Sequence, residues 1–215
     1  AVPKRWGFWY VAEARLRNMF KWWTAIVAFG IGNPVLYLFS VGVGIGSLIS
    51  GPVDGVSYLT FLAPALLASA AIQAAMDEVS FPTIEGFVWD KTFFAINSTG
   101  ITGPQLVNGM MTVAMIRAVG TVLIYEAILL MFGAITFDAV LPLLLSSSFA
   151  ALAFAAVMFA VTVKIKDDDG FFAIIGRFVI APMFMFSGTF YPLENTPIYL
   201  QWIGWISPLW HATDI

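Results

Sequence analysis

Long runs without a charged side chain are the feature that most limits what this chain can fold into. Residues 22–49 contain no Lys, Arg, Asp or Glu, and the core of a bilayer requires about 20 consecutive apolar residues. Charged residues make up 11% of the chain and hydrophobic residues 60%, whereas a soluble domain carries about 25% charged residues. So few charges cannot cover a soluble surface. The sequence therefore predicts an all-α integral membrane protein.

Five runs are long and apolar enough to cross a bilayer as helices. An amphipathic segment precedes them, one charged run interrupts them, and a Pro-rich segment follows them. We predict one transmembrane domain, 1–215, made of an interfacial helix at 1–21, spans at 22–49, 55–76, 113–134, 139–163 and 171–190, and a short helix at 84–96 outside the membrane. The Pro-rich segment at 191–210 either dips into the membrane and returns or lies at its outer interface.

The N-terminal segment is basic and aromatic. Residues 4–21 hold five of the ten basic residues, and aromatic side chains recur between them at three- and four-residue steps. This pattern predicts an amphipathic helix in the headgroup plane of an anionic leaflet. Two interpretations remain open: a plain membrane anchor, or an anchor with a further role.

Residues 77–105 form the only long run between apolar segments that holds several charges. Within it, Phe87 and Phe94 have the spacing of one helical face, and Pro82 limits the helix on its N-terminal side. The pattern predicts a short amphipathic helix at 84–96. It is either a loop helix on the membrane surface or a docking helix for a soluble partner.

The distribution of basic residues predicts the orientation. Lys and Arg lie in the N-terminal segment, in or near 77–105 and near the turn before the fifth span, whereas the loops 50–54 and 135–138 have none. Because Lys and Arg concentrate on the cytoplasmic side, we expect the N-terminus and 77–105 in the cytoplasm. Residues 191–210 then start on the outer side, where their prolines leave no helix long enough to cross.

The residues for most enzyme chemistry are absent from the sequence. There is no cysteine and only one histidine, His211, so neither a thiolate site nor a zinc site on paired histidines can form. A phosphate-binding loop needs Gly-Lys-Ser/Thr, and no lysine here follows a glycine. We therefore predict no catalytic residue, no metal and no cofactor on this chain, and an intramembrane enzyme lacks a credible acid, base or metal group.

Two motifs carry a family resemblance. Residues 185–193 read MFSGTFYPL and residues 207–212 read SPLWHA. With the order of segments along the whole chain, they resemble the membrane subunit of ABC-2 type transporters, most of all the NodJ-type permeases. The resemblance implies that 84–96 is a coupling helix which docks on an ATP-binding subunit, that 191–210 is an external re-entrant segment, and that a sixth span follows Ile215.

The resemblance also implies a function and partners. The chain is expected to be a permease subunit in the cytoplasmic membrane of a bacterium, exporting an amphipathic substrate such as a lipid-linked glycan, a polysaccharide or a hydrophobic drug. Two ATP-binding subunits would hold ATP and Mg, a second permease subunit, identical or different, would complete the path, and no nucleic acid is involved. The alternative is an ion-coupled secondary carrier or channel that uses Glu126 and Arg177 as intramembrane charges.

These expectations assign residues to three sites. We predict that Glu126 has a protein partner, because a lone carboxylate in lipid is costly. The contact with the ATP-binding subunit is assigned to Glu85, Trp89, Asp90, Lys91, Phe93 and Phe94. An external gate, formed as a plug of aromatic side chains, is assigned to Phe184, Phe186, Gly188, Phe190, Tyr191, Glu194, Trp202 and Trp205.

Overall fold

The computed structural model describes residues 6–46, 51–53, 55–165 and 170–213, which form helices, with one isolated β-bridge between Val53 and Val56. The prediction of an all-α membrane protein is confirmed. The helices are α1 Gly7–Phe20, α2 Trp23–Tyr37, α3 Tyr58–Val79, α4 Phe81–Ile84, α5 Thr92–Ser98, α6 Gly103–Met131, α7 Phe137–Thr162, α8 Phe171–Ile175, α9 Ala181–Phe186, α10 Ile198–Ile206 and α11 Pro208–Thr213.

Short pieces of other helix types join these elements. Segments of π-helix extend α2 over Leu38–Ile45, follow α4 over Glu85–Trp89, and connect α8 to α9 over Gly176–Ile180. A 3-10 turn, Leu193–Asn195, precedes α10. The predicted parts at 1–5 and 47–49 lie outside the described residues.

Among the described residues, three helices are long and apolar enough to cross a membrane: Tyr58–Trp89, Gly103–Met131 and Phe137–Thr162. Phe171–Phe186 is apolar but shorter. Helix α6 begins well before the predicted residue 113, because Thr102 and Gln105 form a reciprocal capping box in front of it. In the predicted fifth span, 171–190, the helix ends at Phe186, shortly before Gly188, which has φ 76°.

Helix α3 is the centre of the bundle and packs against both α6 and α7. The side chains at these contacts are small, which lets the helix backbones approach closely. The fully buried alanines include Ala68, Ala71 and Ala75 on α3, Ala114 and Ala118 on α6, and Ala151 and Ala155 on α7.

The bundle has two distinct ends. The charged end gathers α1, the C-terminal end of α3 and α4; there Phe81 contacts Phe172 at the start of α8, with ring centroids 4.8 Å apart. At the opposite end α11 packs against α3 and α7, and the Ser146 hydroxyl donates to the Ala212 carbonyl at 3.2 Å. The α8–α9 segment therefore runs from the charged end to the opposite end.

Candidate functional site

Helix α1 is packed against α6 at the charged end. A Cβ atom at Gly109 of α6 would lie 2.7 Å from the Phe8 carbonyl oxygen and 2.7 Å from the Val11 Cβ, so only glycine allows this approach. Val11 and Ala12 are buried in the contact. Helix α1 is thus an integral part of the bundle, which favours the interpretation that it does more than anchor the chain.

Three side chains from three helices form a buried ion cluster beside this contact. Arg15 of α1 donates from Nε to Oε1 of Glu78 at 2.5 Å, and Arg117 of α6 donates from Nη1 to Oε2 of the same carboxylate at 2.9 Å. The Glu78 side chain is 1% exposed. Two further carboxylates lie near: Glu85 is 3.7 Å from Arg15, and Asp77 is 3.8 Å from Arg117. Arg15, Asp77, Glu78, Glu85 and Arg117 are called the ion cluster below.

Reasoning from the sequence missed this cluster. Arg117 binds Glu78, 39 positions away in the sequence. Arg15 and Glu78 are 63 positions apart. Helical periodicity reports neighbours three or four positions apart, so it cannot detect such pairs. The available signal was the position of Glu78 at the end of an apolar run, where a carboxylate needs a partner.

The predicted single helix at 84–96 is wrong, because the structure divides it into two short helices. The Asp90 amide closes the π-helical segment by donating to the Glu85 carbonyl at 2.8 Å, and Lys91 then takes φ 55°, a left-handed conformation that ends a helix. The Phe87 ring packs edge-on against Phe93 at 4.9 Å. Residues 81–98 therefore fold back on themselves, and we call them the hairpin.

The tip of the hairpin presents most of the predicted contact residues to the outside. Trp89 is 56% exposed and Phe94 is 62% exposed, and Asp90 and Lys91 are also exposed. Glu85 is half-buried in the ion cluster. Phe93 differs from the rest: it is 8% exposed and packs over Gly86, where a Cβ would lie 2.5 Å from its ring.

A cavity of about 760 Å³ begins at the ion cluster and extends along the bundle. Its volume lies within the usual range of small-molecule sites, about 300–1,000 Å³. One wall carries the polar groups of the charged end, and the remainder is aliphatic and aromatic. The polar lining includes Arg15, Gln73, Asp77, Glu78, Arg117 and Thr121, and the apolar lining includes Ile26, Leu66, Tyr37, Tyr125, Ile180 and Phe184.

The predicted gate residues are brought together only in part. The Phe184 ring meets Phe190 edge-on at 5.2 Å and Tyr37 at 6.3 Å, at the far side of the cavity. Trp202 and Trp205 of α10 are exposed instead. Of the remaining gate residues, Phe186, Gly188 and Tyr191 are half-buried and Glu194 is exposed. The gate stays a prediction.

The two intramembrane charges of the carrier hypothesis lie apart from this site. Arg177 is exposed on the π-helical segment, and neither Arg177 nor Glu126 lines the cavity. Glu126 on α6 is 2% exposed, so it does not face lipid, yet neither of its carboxyl oxygens has a hydrogen-bond partner among the described residues. The protein partner predicted for Glu126 therefore stays a prediction.

We expect Glu126→Met to raise the free energy of unfolding by about 1–3 kcal/mol, because it removes a buried polar group without a hydrogen bond. The side chain of Met has a similar length and no polar group to satisfy. Thermal unfolding of the protein in lipid nanodiscs measures the change. A clear loss of stability would show that the carboxyl group has a partner. Loss of transport in a variant that still folds would support the carrier hypothesis.

Comparison with known proteins gives consistent matches along the chain. The sequence profile described as ABC-2 type transporter matches residues 7–215. Nodulation protein J of Rhizobium leguminosarum bv. viciae is 34% identical over 93% of this chain and 77% of its own length. Nodulation protein J of Rhizobium meliloti (strain 1021) is 31% identical over 100% of this chain and 82% of its own length. No solved structure matches.

Proposed function

Because the chain belongs to the ABC-2 type transporter family, we propose that it is the permease subunit of an ATP-driven exporter in which the hairpin docks on an ATP-binding subunit. The family is one of transport permeases, and membership implies a membrane location and association with an ATP-binding subunit.

The observation that carries the docking site is the exposed tip of the hairpin. Trp89 and Phe94 stand beside Asp90 and Lys91, beyond the apolar part of the bundle. Charged groups are costly in lipid, so this tip belongs in water. Large aromatic side chains exposed to water among charges are typical of protein interfaces. The concentration of basic residues at this end supports a cytoplasmic location for the hairpin and for the N-terminus.

The lining of the cavity supports an amphipathic substrate. Its polar wall can hydrogen-bond a polar head group through Gln73, Asp77 and Thr121, while Ile26 and Ile180 offer apolar surface to a chain. Such a substrate is a lipid-linked glycan, a polysaccharide or a hydrophobic drug, moved outward across the cytoplasmic membrane of a bacterium.

Exposed apolar side chains on the α8–α9 segment support a second permease subunit. Phe178 is 74% exposed, and Ile174 and Met185 are also exposed. This surface faces either lipid or a second permease, identical or different, across a shared path. In the proposed assembly two ATP-binding subunits bind ATP and Mg, and this chain binds neither.

Co-purification tests the proposal. The full-length protein is expressed together with its ATP-binding subunit, purified through a tag on the permease, and reconstituted in vesicles. We expect the ATP-binding subunit to co-purify and export to require ATP hydrolysis. A permease that purifies alone and transports on an ion gradient without ATP would contradict the proposal and assign the chain to the carriers.

A further inference from the structure

We infer that the ion cluster is a joint: it is the connection through which movement of the hairpin changes the width of the cavity at its charged end. This inference rests on the proposed function, because it requires the ATP-binding subunit to move the hairpin. In this account Arg15 is a positioning residue: it acts on the cavity through the helices that it connects.

The first support is that Arg15 bridges the junction between α3 and the hairpin. Glu78 lies in the last turn of α3, Ser80 ends that helix, and Glu85 begins the π-helical part of the hairpin. The Arg15 guanidinium is 2.5 Å from Glu78 and 3.7 Å from Glu85. A rotation of the hairpin about Ser80 therefore changes the separation between Arg15 and Glu85 directly.

The second support is that the cluster connects the walls of the cavity. Helix α1 is held to α6 by the close contact at Gly109, so the two helices form one unit. Arg15 and Arg117 of that unit each donate a hydrogen bond to Glu78. All three side chains line the cavity. A shift of the α1–α6 unit against α3 therefore changes the width of the cavity at this end.

The third support is the balance of charges. The cluster holds two guanidinium groups and three carboxylates, so each arginine has an alternative partner. Glu78 is buried and is costly to leave unpaired. Asp77 and Glu85 are about two-fifths exposed, and their contacts of 3.8 and 3.7 Å are long. The cluster can thus exchange its outer contacts while Glu78 stays paired, as a joint with two states requires.

Thiol labelling inside the cavity tests the inference. Ser69 lines the cavity on α3, and the chain has no other thiol because it lacks cysteine. The complex of full-length Ser69→Cys permease with its ATP-binding subunit is labelled with a small methanethiosulfonate, with and without Mg and a non-hydrolysable ATP analogue. We expect the labelling rate to change by about fivefold or more between the two states.

Substitution of Arg15 provides the decisive comparison. Arg15→Gln removes the charge, and Arg15→Lys keeps the charge but loses the planar fork that serves two carboxylates. Both are expected to reduce the change in labelling rate to less than about twofold while the complex still forms. The matched control is Arg17→Gln on the same helix, whose exposed pair with Glu13 at 2.6 Å lies outside the cluster; it should keep the full change. If Arg15→Gln does not fold, the change in labelling rate is measured in Arg15→Lys alone.

The outcomes separate the two proposals. If the labelling rate of Ser69→Cys is the same with and without the nucleotide while ATP-dependent export is intact, the inference about the ion cluster is wrong and the proposed function stands. The same holds if both Arg15 variants keep the full change. If the ATP-binding subunit does not associate with the permease, the proposed function fails and this inference fails with it.

Discussion

Replacing Glu78 with alanine is expected to lower the free energy of unfolding by about 3–5 kcal/mol, because it leaves two largely buried arginines with only their long contacts to Glu85 and Asp77. Arg15 and Arg117 both donate to this carboxylate, and their side chains are only 19% and 22% exposed. The loss also removes the ionic contacts that α3 makes with α1 and α6. Unfolding of the protein in lipid nanodiscs, followed by tryptophan fluorescence, measures the effect.

The control for this prediction is Glu13→Ala. Glu13 pairs with Arg17 one turn along α1, and the pair is exposed, so its loss should cost no more than about 0.5 kcal/mol. Equal losses of stability in the two variants would contradict the structural importance of the ion cluster.

The second large effect is expected at the hairpin. The double substitution Trp89→Ala and Phe94→Ala should weaken binding of the ATP-binding subunit by at least about thirtyfold, because large aromatic side chains contribute most of the binding energy at protein interfaces. The two side chains are exposed, so the permease itself should remain folded. Binding of the purified ATP-binding subunit to permease in nanodiscs gives the affinity.

Trp202→Ala is the matched control for the hairpin variant. Trp202 is also a large exposed aromatic residue, 54% exposed, but it lies on α10 at the opposite end of the bundle. Its removal should leave the affinity for the ATP-binding subunit unchanged. Equal weakening by both variants would mean that the loss reflects general damage to the permease.

The helical membrane fold could be predicted from the sequence because the bilayer leaves few alternatives. Backbone groups in lipid must be hydrogen-bonded within the segment, so runs such as 139–163 are read as helices, and α7 is found at Phe137–Thr162. The hairpin could not be predicted in the same way. Phe87 and Phe94 have the spacing of one helical face, but the chain reverses at Lys91 and brings the two rings to 5.9 Å by folding back.

The exposed residues of the candidate site could be predicted from the sequence, but the ion pairs between its helices could not. Exposed groups such as Trp89 and Asp90 follow from a charged run between apolar ones, since charge keeps that run in water. The ion cluster depends on which helices pack together, and that choice is made by small residues such as Gly109, where α1 meets α6. The sequence around a glycine in an apolar helix does not show which other helix packs against it. For this reason Arg15 and Glu78 could not be paired from the sequence.

Cross-linking from single cysteines in this cysteine-free chain measures directly whether the hairpin tip docks on the ATP-binding subunit. Cysteine is placed at Trp89, at Phe94 or, as the control, at the exposed Trp202 of α10, and a photoactivatable maleimide is attached to the permease before the complex is assembled. We predict cross-links to the ATP-binding subunit from positions 89 and 94 and none from 202. An intact, ATP-hydrolysing complex without cross-links from 89 and 94 would contradict the claim.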